Sequence, residues 1–113
     1  MSVALDSKHF DEVTVISIAG SVDALTAATV TEYFEQTLEG GRPRIVADLS
    51  GVDFMSSAGL RALLAALKQS RQMGGDLCLA AAKPGVERVL KMSGFTSILK
   101  TYTTVDEAVA DYG

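Results

Sequence analysis

An α/β domain, a mixed sheet of about five strands covered by about four helices, is the fold the sequence predicts. Three observations carry it. Short β-branched, apolar runs such as Val13-Thr14-Val15-Ile16-Ser17-Ile18-Ala19 alternate with longer stretches whose apolar residues recur at helical spacing. Paired glycines, Gly40-Gly41 and Gly74-Gly75, close two of those stretches, as glycine just past a helix end does. The 113 residues, 48% hydrophobic and 21% charged, are enough for one folded domain with a real core, spanning residues 1–113.

Taken in order, Val3, Leu5 and Ser7 alternate with polar or small residues and predict a weak edge strand, broken at Asp11-Glu12. The run 13–19 is a strand that Gly20 ends. The two lie close in sequence, so they pair as an antiparallel hairpin. A loop over 21–26 leads into a helix with Ala27, Val30, Phe34 and Leu38 on one stripe. After the connector Arg42-Pro43-Arg44 comes a strand over 45–50, then a turn at Gly51-Val52-Asp53. Leu60, Leu63, Leu64 and Leu67 mark the next helix, from Ser57 to about Met73. Strand, helix, strand in this order requires a parallel crossover, normally right-handed. Residues 76–81 form a strand buried on both sides. Pro84 opens a helix with Val86, Val89 and Leu90 inward, and Gly94 ends it. Ile98-Leu99 is a short last strand. Thr104-Val105-Asp106-Glu107 is a capping box for a terminal helix that turns Val105, Ala108, Val109 and Tyr112 inward.

Composition excludes several functions. A net charge of −4 disfavours nucleic-acid binding, which needs a basic surface. No apolar run approaches the roughly 20 residues of a membrane helix. The first residues lack the basic and apolar regions of a secretion signal. The single Cys78 cannot form an internal disulfide and suits a reducing compartment, so the expectation is a soluble cytoplasmic protein. Phosphate-cradling and dinucleotide-binding glycine loops are absent, and the serines are not flanked as in a nucleophile elbow. With one His9 and one Cys78, no zinc site of His and Cys ligands can be assembled. Asp23, Asp48 and Asp53 read as structural carboxylates, and no metal, cofactor or catalytic activity is expected.

What remains is the junction Phe54-Met55-Ser56-Ser57-Ala58-Gly59. A strand feeding a helix through small residues leaves backbone N–H groups pointing out of the helix start. A serine there caps the helix, and an anion there is stabilised by the helix dipole. On these residues alone, a cap is the simpler reading.

The stretch Asp48-Leu49-Ser50-Gly51-Val52-Asp53-Phe54-Met55-Ser56-Ser57-Ala58-Gly59-Leu60 resembles the signature of STAS domains, specifically of bacterial anti-sigma factor antagonists. Ala19 to Ala27 and Val89 to Phe95 resemble two further segments of that family, in the same order. The resemblance implies a partner switch. Unphosphorylated, such a protein binds an anti-sigma factor that is also a serine kinase. Phosphorylation of one serine of the signature releases it, and a serine phosphatase resets it. Laid on this chain, the phosphoacceptor is Ser57, with Ser56 the alternative. Ser56 stands where the family usually has Asp, and Ala58 replaces a second hydroxyl residue. The partner surface implied comprises Asp23, Ala24, Leu25, Met55, Ser56, Ser57, Ala58, Gly59 and Arg61, with Phe54 beside them. Met55 has inward packing as its alternative reading. Asp23 is expected to bond the Ser57 hydroxyl. The alternative function is a STAS module of another complex, in stress signalling or lipid transport, without a sigma factor.

Overall fold

The computed structural model describes residues 2–112. Its elements run β1 (Val3–Phe10), β2 (Val13–Val22), α1 (Ala27–Glu39), β3 (Arg44–Met55), α2 (Ser57–Gln72), β4 (Asp76–Ala80), α3 (Pro84–Met92), a 3₁₀ turn (Phe95–Ser97), β5 (Thr101–Tyr102) and α4 (Val105–Tyr112). The sheet order is β1-β2-β3-β4-β5. β1 and β2 form the expected antiparallel hairpin, with Phe10 opposite Val13 across Asp11-Glu12. The other three pairings are parallel, so the sheet is mixed as predicted.

Burial follows from alternation along the strands. On one face Ile16, Ile18, Ile45, Ala47, Leu49, Leu77 and Leu79 pack against Val30, Phe34, Leu38, Leu63, Leu67 and Leu90 of the three crossover helices. On the other, Val13, Val15, Val46, Cys78 and Ala80 pack under α4 through Ala108. Both faces of β4 are therefore covered, which explains its unbroken apolar run. The predicted capping box is present: Thr104 Oγ1 accepts from the Glu107 N–H at 3.2 Å.

Three expectations are corrected. β2 does not stop at Gly20 but continues to Val22, because Gly20 takes φ 106° at an irregularity of the ladder. β3 likewise runs straight through 51–53, where a turn was expected. Its register with β2 shifts twice, between Ser17 and Ala19 and between Gly20 and Ser21, and each shift is a bulge. Ile98-Leu99 is not a strand. The Ile98 N–H closes the 3₁₀ turn on the Phe95 carbonyl, the Leu99 N–H turns back to the same oxygen, and the last strand is the two-residue β5.

The bulges lie where β3 leaves the body of the sheet. β3 pairs with β4 only as far as Asp48 opposite Ala80. Beyond that point β3 continues beside β2 alone, and the two strands deliver Val22 and Met55, side by side, to the loops at their ends.

Candidate functional site

The ends of β2 and β3 and the start of α2 meet at one rim of the sheet. The Ser56 N–H donates to the Val22 carbonyl at 2.8 Å, which fastens the two strand ends together. Ser56 is extended (φ −92°, ψ 175°), and its Oγ accepts from the Gly59 N–H at 3.4 Å. Ser56 is thus the helix cap. Ser57 is the first residue of α2, exposed, and not engaged by that capping bond. It lies in the first helical turn, whose leading amides have no intrahelical carbonyl partner.

Beside it, the loop after β2 is a tightly bonded turn. Asp23 Oδ1 accepts from the Leu25 N–H at 2.9 Å and the Thr26 N–H at 3.1 Å. The Thr26 hydroxyl donates to the Ser21 carbonyl at 2.7 Å and accepts from the Asp23 N–H at 3.0 Å. The Asp23 carboxylate is committed to its own turn, and the expected bond to the Ser57 hydroxyl is not formed. That turn holds Leu25 at its apex, 85% exposed, next to exposed Ala24. Phe54, opposite Ser21 in the ladder, is 52% exposed. Two large apolar side chains therefore stand in water at the rim that carries Ser57. Arg61, one helical turn after Ser57, is exposed, and Ala58 is half-buried.

Two residues expected at the partner surface are inside. Met55 is buried, 3% exposed. Val52 and Met55 both point to the core although they lie three apart, because the bulge breaks the two-residue alternation. Phe54 consequently faces out. Gly59 is also buried, and a Cβ there would lie 2.5 Å from Met55 Sδ and 2.7 Å from Val22 Cγ1. It lets α2 sit directly on the strand ends. Sequence reasoning missed the bridge from Lys83 Nζ to Asp53 Oδ1, 2.6 Å, which ties this rim to the start of α3. Nothing local signals a pair so far apart in the chain.

Elsewhere, His9 is exposed on β1. The buried Cys78 thiol is pushed up to about 12, first by burial, so it is inert rather than nucleophilic. No group of three or more metal-ligating side chains is present among the described residues. No helix among them is long and apolar enough to cross a membrane.

Residues 4–108 match the STAS domain family model. The chain belongs to the STAS domain family. BtrV of Bordetella bronchiseptica, a putative anti-sigma factor antagonist by name, is 33% identical to this STAS domain over 112 residues, covering 99% of the chain and 95% of BtrV. The anti-sigma-B factor antagonist of Listeria monocytogenes is 35% identical over 97 residues, covering 84% of the chain and 80% of the relative. The crystal structure of an anti-sigma factor antagonist from Mycobacterium paratuberculosis superposes with a TM-score of 0.88 at 27% identity, covering 96% of this chain and 92% of that one. The hairpin, the bulged β3 and the serine-bearing start of α2 are thus features of a STAS domain whose relatives include anti-sigma factor antagonists.

Proposed function

We propose that this STAS domain is an anti-sigma factor antagonist whose binding is switched by phosphorylation of Ser57. The observation that carries the reading is the placement of Ser57. It is the exposed first residue of α2, on the rim where Leu25 and Phe54 present apolar surface. Solvent-facing side chains of this size, side by side with a modifiable hydroxyl, suit a surface that a partner covers and a phosphate uncovers. The partner would be an anti-sigma factor with serine kinase activity, and a serine phosphatase would reset the switch. The protein acts as binding module and kinase substrate, not as catalyst. Ser57 is favoured over Ser56 because the Ser56 hydroxyl is already engaged as the cap.

The physics of the switch follows from the helix start. A phosphoserine carries about −1.5 to −2 charge. At the first residue of α2 it meets the positive end of the helix dipole, favourable by roughly 0.3 to 1 kcal/mol when exposed. The fold therefore tolerates the phosphate, and the loss of affinity arises in the complex, where the dianion must be desolvated against the partner. Ala24, Leu25, Phe54, Ser57, Ala58 and Arg61 form the contact surface, with Asp23 shaping the turn.

Affinity capture with the wild type, Ser57→Ala and Ser57→Asp tests the reading. Ser57→Ala should retain a kinase-bearing partner and Ser57→Asp should lose it. Equal recovery by all three would sink the switch. Chemical shifts of the phosphorylated domain should change only near residues 21–26 and 53–61, whereas a global change would remove the surface mechanism.

A further inference from the structure

We propose that β1 is a self-association edge, pairing antiparallel with β1 of a second copy in a register centred on Ser7. β1 occupies one end of the sheet and bonds only to β2, in an uninterrupted register from Val3 opposite Gly20 to Phe10 opposite Val13. Its other edge therefore presents alternate backbone N–H and C=O groups along its length. Sheet edges are usually blunted by proline, a bulge or inward-pointing charge. β1 contains no proline, its register is continuous, and its inward residues are Val3, Leu5 and Ser7; its charge is confined to the outward face, as one acid, Asp6, and one base, Lys8.

The side chains along the edge point to a second copy as occupant. With Ser7 opposite Ser7 across a two-fold axis, Asp6 of each copy stands opposite Lys8 of the other, on the same face. The pair occurs twice, once on each side of the axis. Asp6 and Lys8 are both exposed, and among the described residues neither makes an ion pair within its own chain. The same register sets Ala4 opposite Phe10, whose ring is 45% exposed in the single chain, and Leu5 opposite His9. No like charges oppose each other. The helix beside the edge agrees with this. Tyr33 hydroxyl bonds Ser7 Oγ and so fixes which side of α1 flanks β1. By helical spacing that side also carries Thr29 and Gln36, and no charge. Thr29, Tyr33 and Gln36 are then the α1 side chains nearest the joint, with Glu32 set farther round toward solvent.

A pairing this short buries little surface, so the dimer should be weak and concentration-dependent.

Sedimentation velocity over a concentration series, on the wild type, Asp6→Lys, Lys8→Asp and the double exchange Asp6→Lys/Lys8→Asp, tests it. Each single variant sets like charges opposite one another twice and should dimerise roughly tenfold more weakly than wild type. The double exchange restores opposite charges and should recover the wild-type constant, which a merely destabilised protein would not do. Ser7→Cys should cross-link under mild oxidation, because opposed antiparallel residues stand about 4.5 to 5.5 Å apart at Cα, within disulfide reach. The buried Cys78 gives no background. A wild type that stays monomeric at the highest concentration reached, single variants that dimerise as well as wild type, or a double exchange no better than the singles would overturn the proposal.

Discussion

Replacing Ser56 with alanine should cost the domain about 1 kcal/mol, because the side chain that caps α2 is lost. Ser57→Ala, at the first helical position, should cost less than roughly 0.5 kcal/mol. Urea denaturation of the two variants separates the neighbours by duty: cap for one, free hydroxyl for the other. If Ser57→Ala were the costlier change, the capping geometry would be wrong. At this scale the sequence already pointed to the serine pair and to the loop at 21–26. It could not divide the pair's roles, because capping depends on backbone angles that differ between adjacent residues. Nor could it place Met55, since one bulge reverses which of Phe54 and Met55 faces water. Asp23 shows the same limit: its partners are two and three residues away in its own turn, not across the rim.

Elements here are joined by a few contacts whose removal is measurable. Arg42 lies in the connector before β3 and reaches back to the hairpin. Its Nε donates to the Thr14 hydroxyl at 2.6 Å and its Nη2 to the Asp11 carbonyl at 2.7 Å. Thr14 is fully buried, so Arg42→Ala leaves a buried hydroxyl without its partner, at a cost of roughly 1 to 3 kcal/mol. The urea midpoint should fall accordingly. Partner binding should not change, because β3 separates Arg42 from the Ser57 rim along its whole length. Gly59→Ala makes the complementary prediction. The added methyl meets Met55 Sδ and Val22 at 2.5 to 3.1 Å, so overpacking should cost about 1 to 3 kcal/mol and tilt the start of α2. It should weaken binding and stability together. The long elements were legible because burial imposes a period on them: α1, α2 and β4 stand where apolar spacing placed them. β5 was not, since two residues carry no period. The stretch 51–53 was misread because Gly51 resembles a turn signal. Its lack of a side chain instead admits β2, where a Cβ would come within 2.9 Å of the Ala19 Cβ.

The whole molecule should weaken toward alkaline pH, and the groups responsible sit beneath and beside α4. Burial raises the Cys78 thiol from 9.0 to about 12. The bond to Asp111 raises the Tyr102 hydroxyl from 10.0 to about 12, and burial raises Tyr112 further in the same direction. The folded state therefore holds protons that the unfolded chain releases from about pH 9 upward. Stability is fully present below that pH and declines as it rises toward about 12. Denaturant titrations across the alkaline range should show this fall, and Cys78→Ala should make it shallower by one proton's worth. A flat profile would mean the face under α4 is wetter than its packing implies.

The Tyr112 hydroxyl lies 2.9 Å from the Ile45 carbonyl and 2.7 Å from the Asp76 carbonyl, so α4 is latched to the starts of both β3 and β4. This has a consequence for the order of synthesis. A ribosome that has released the chain only through β5 has released every strand and all three crossover helices. It has not released α4, which covers Val13, Val15 and Val46. During that interval an apolar sheet face stands open to other nascent chains and to chaperones. The interval ends only when the Tyr112 latch has emerged, so the synthesis of α4 sets how long this sheet face stays exposed.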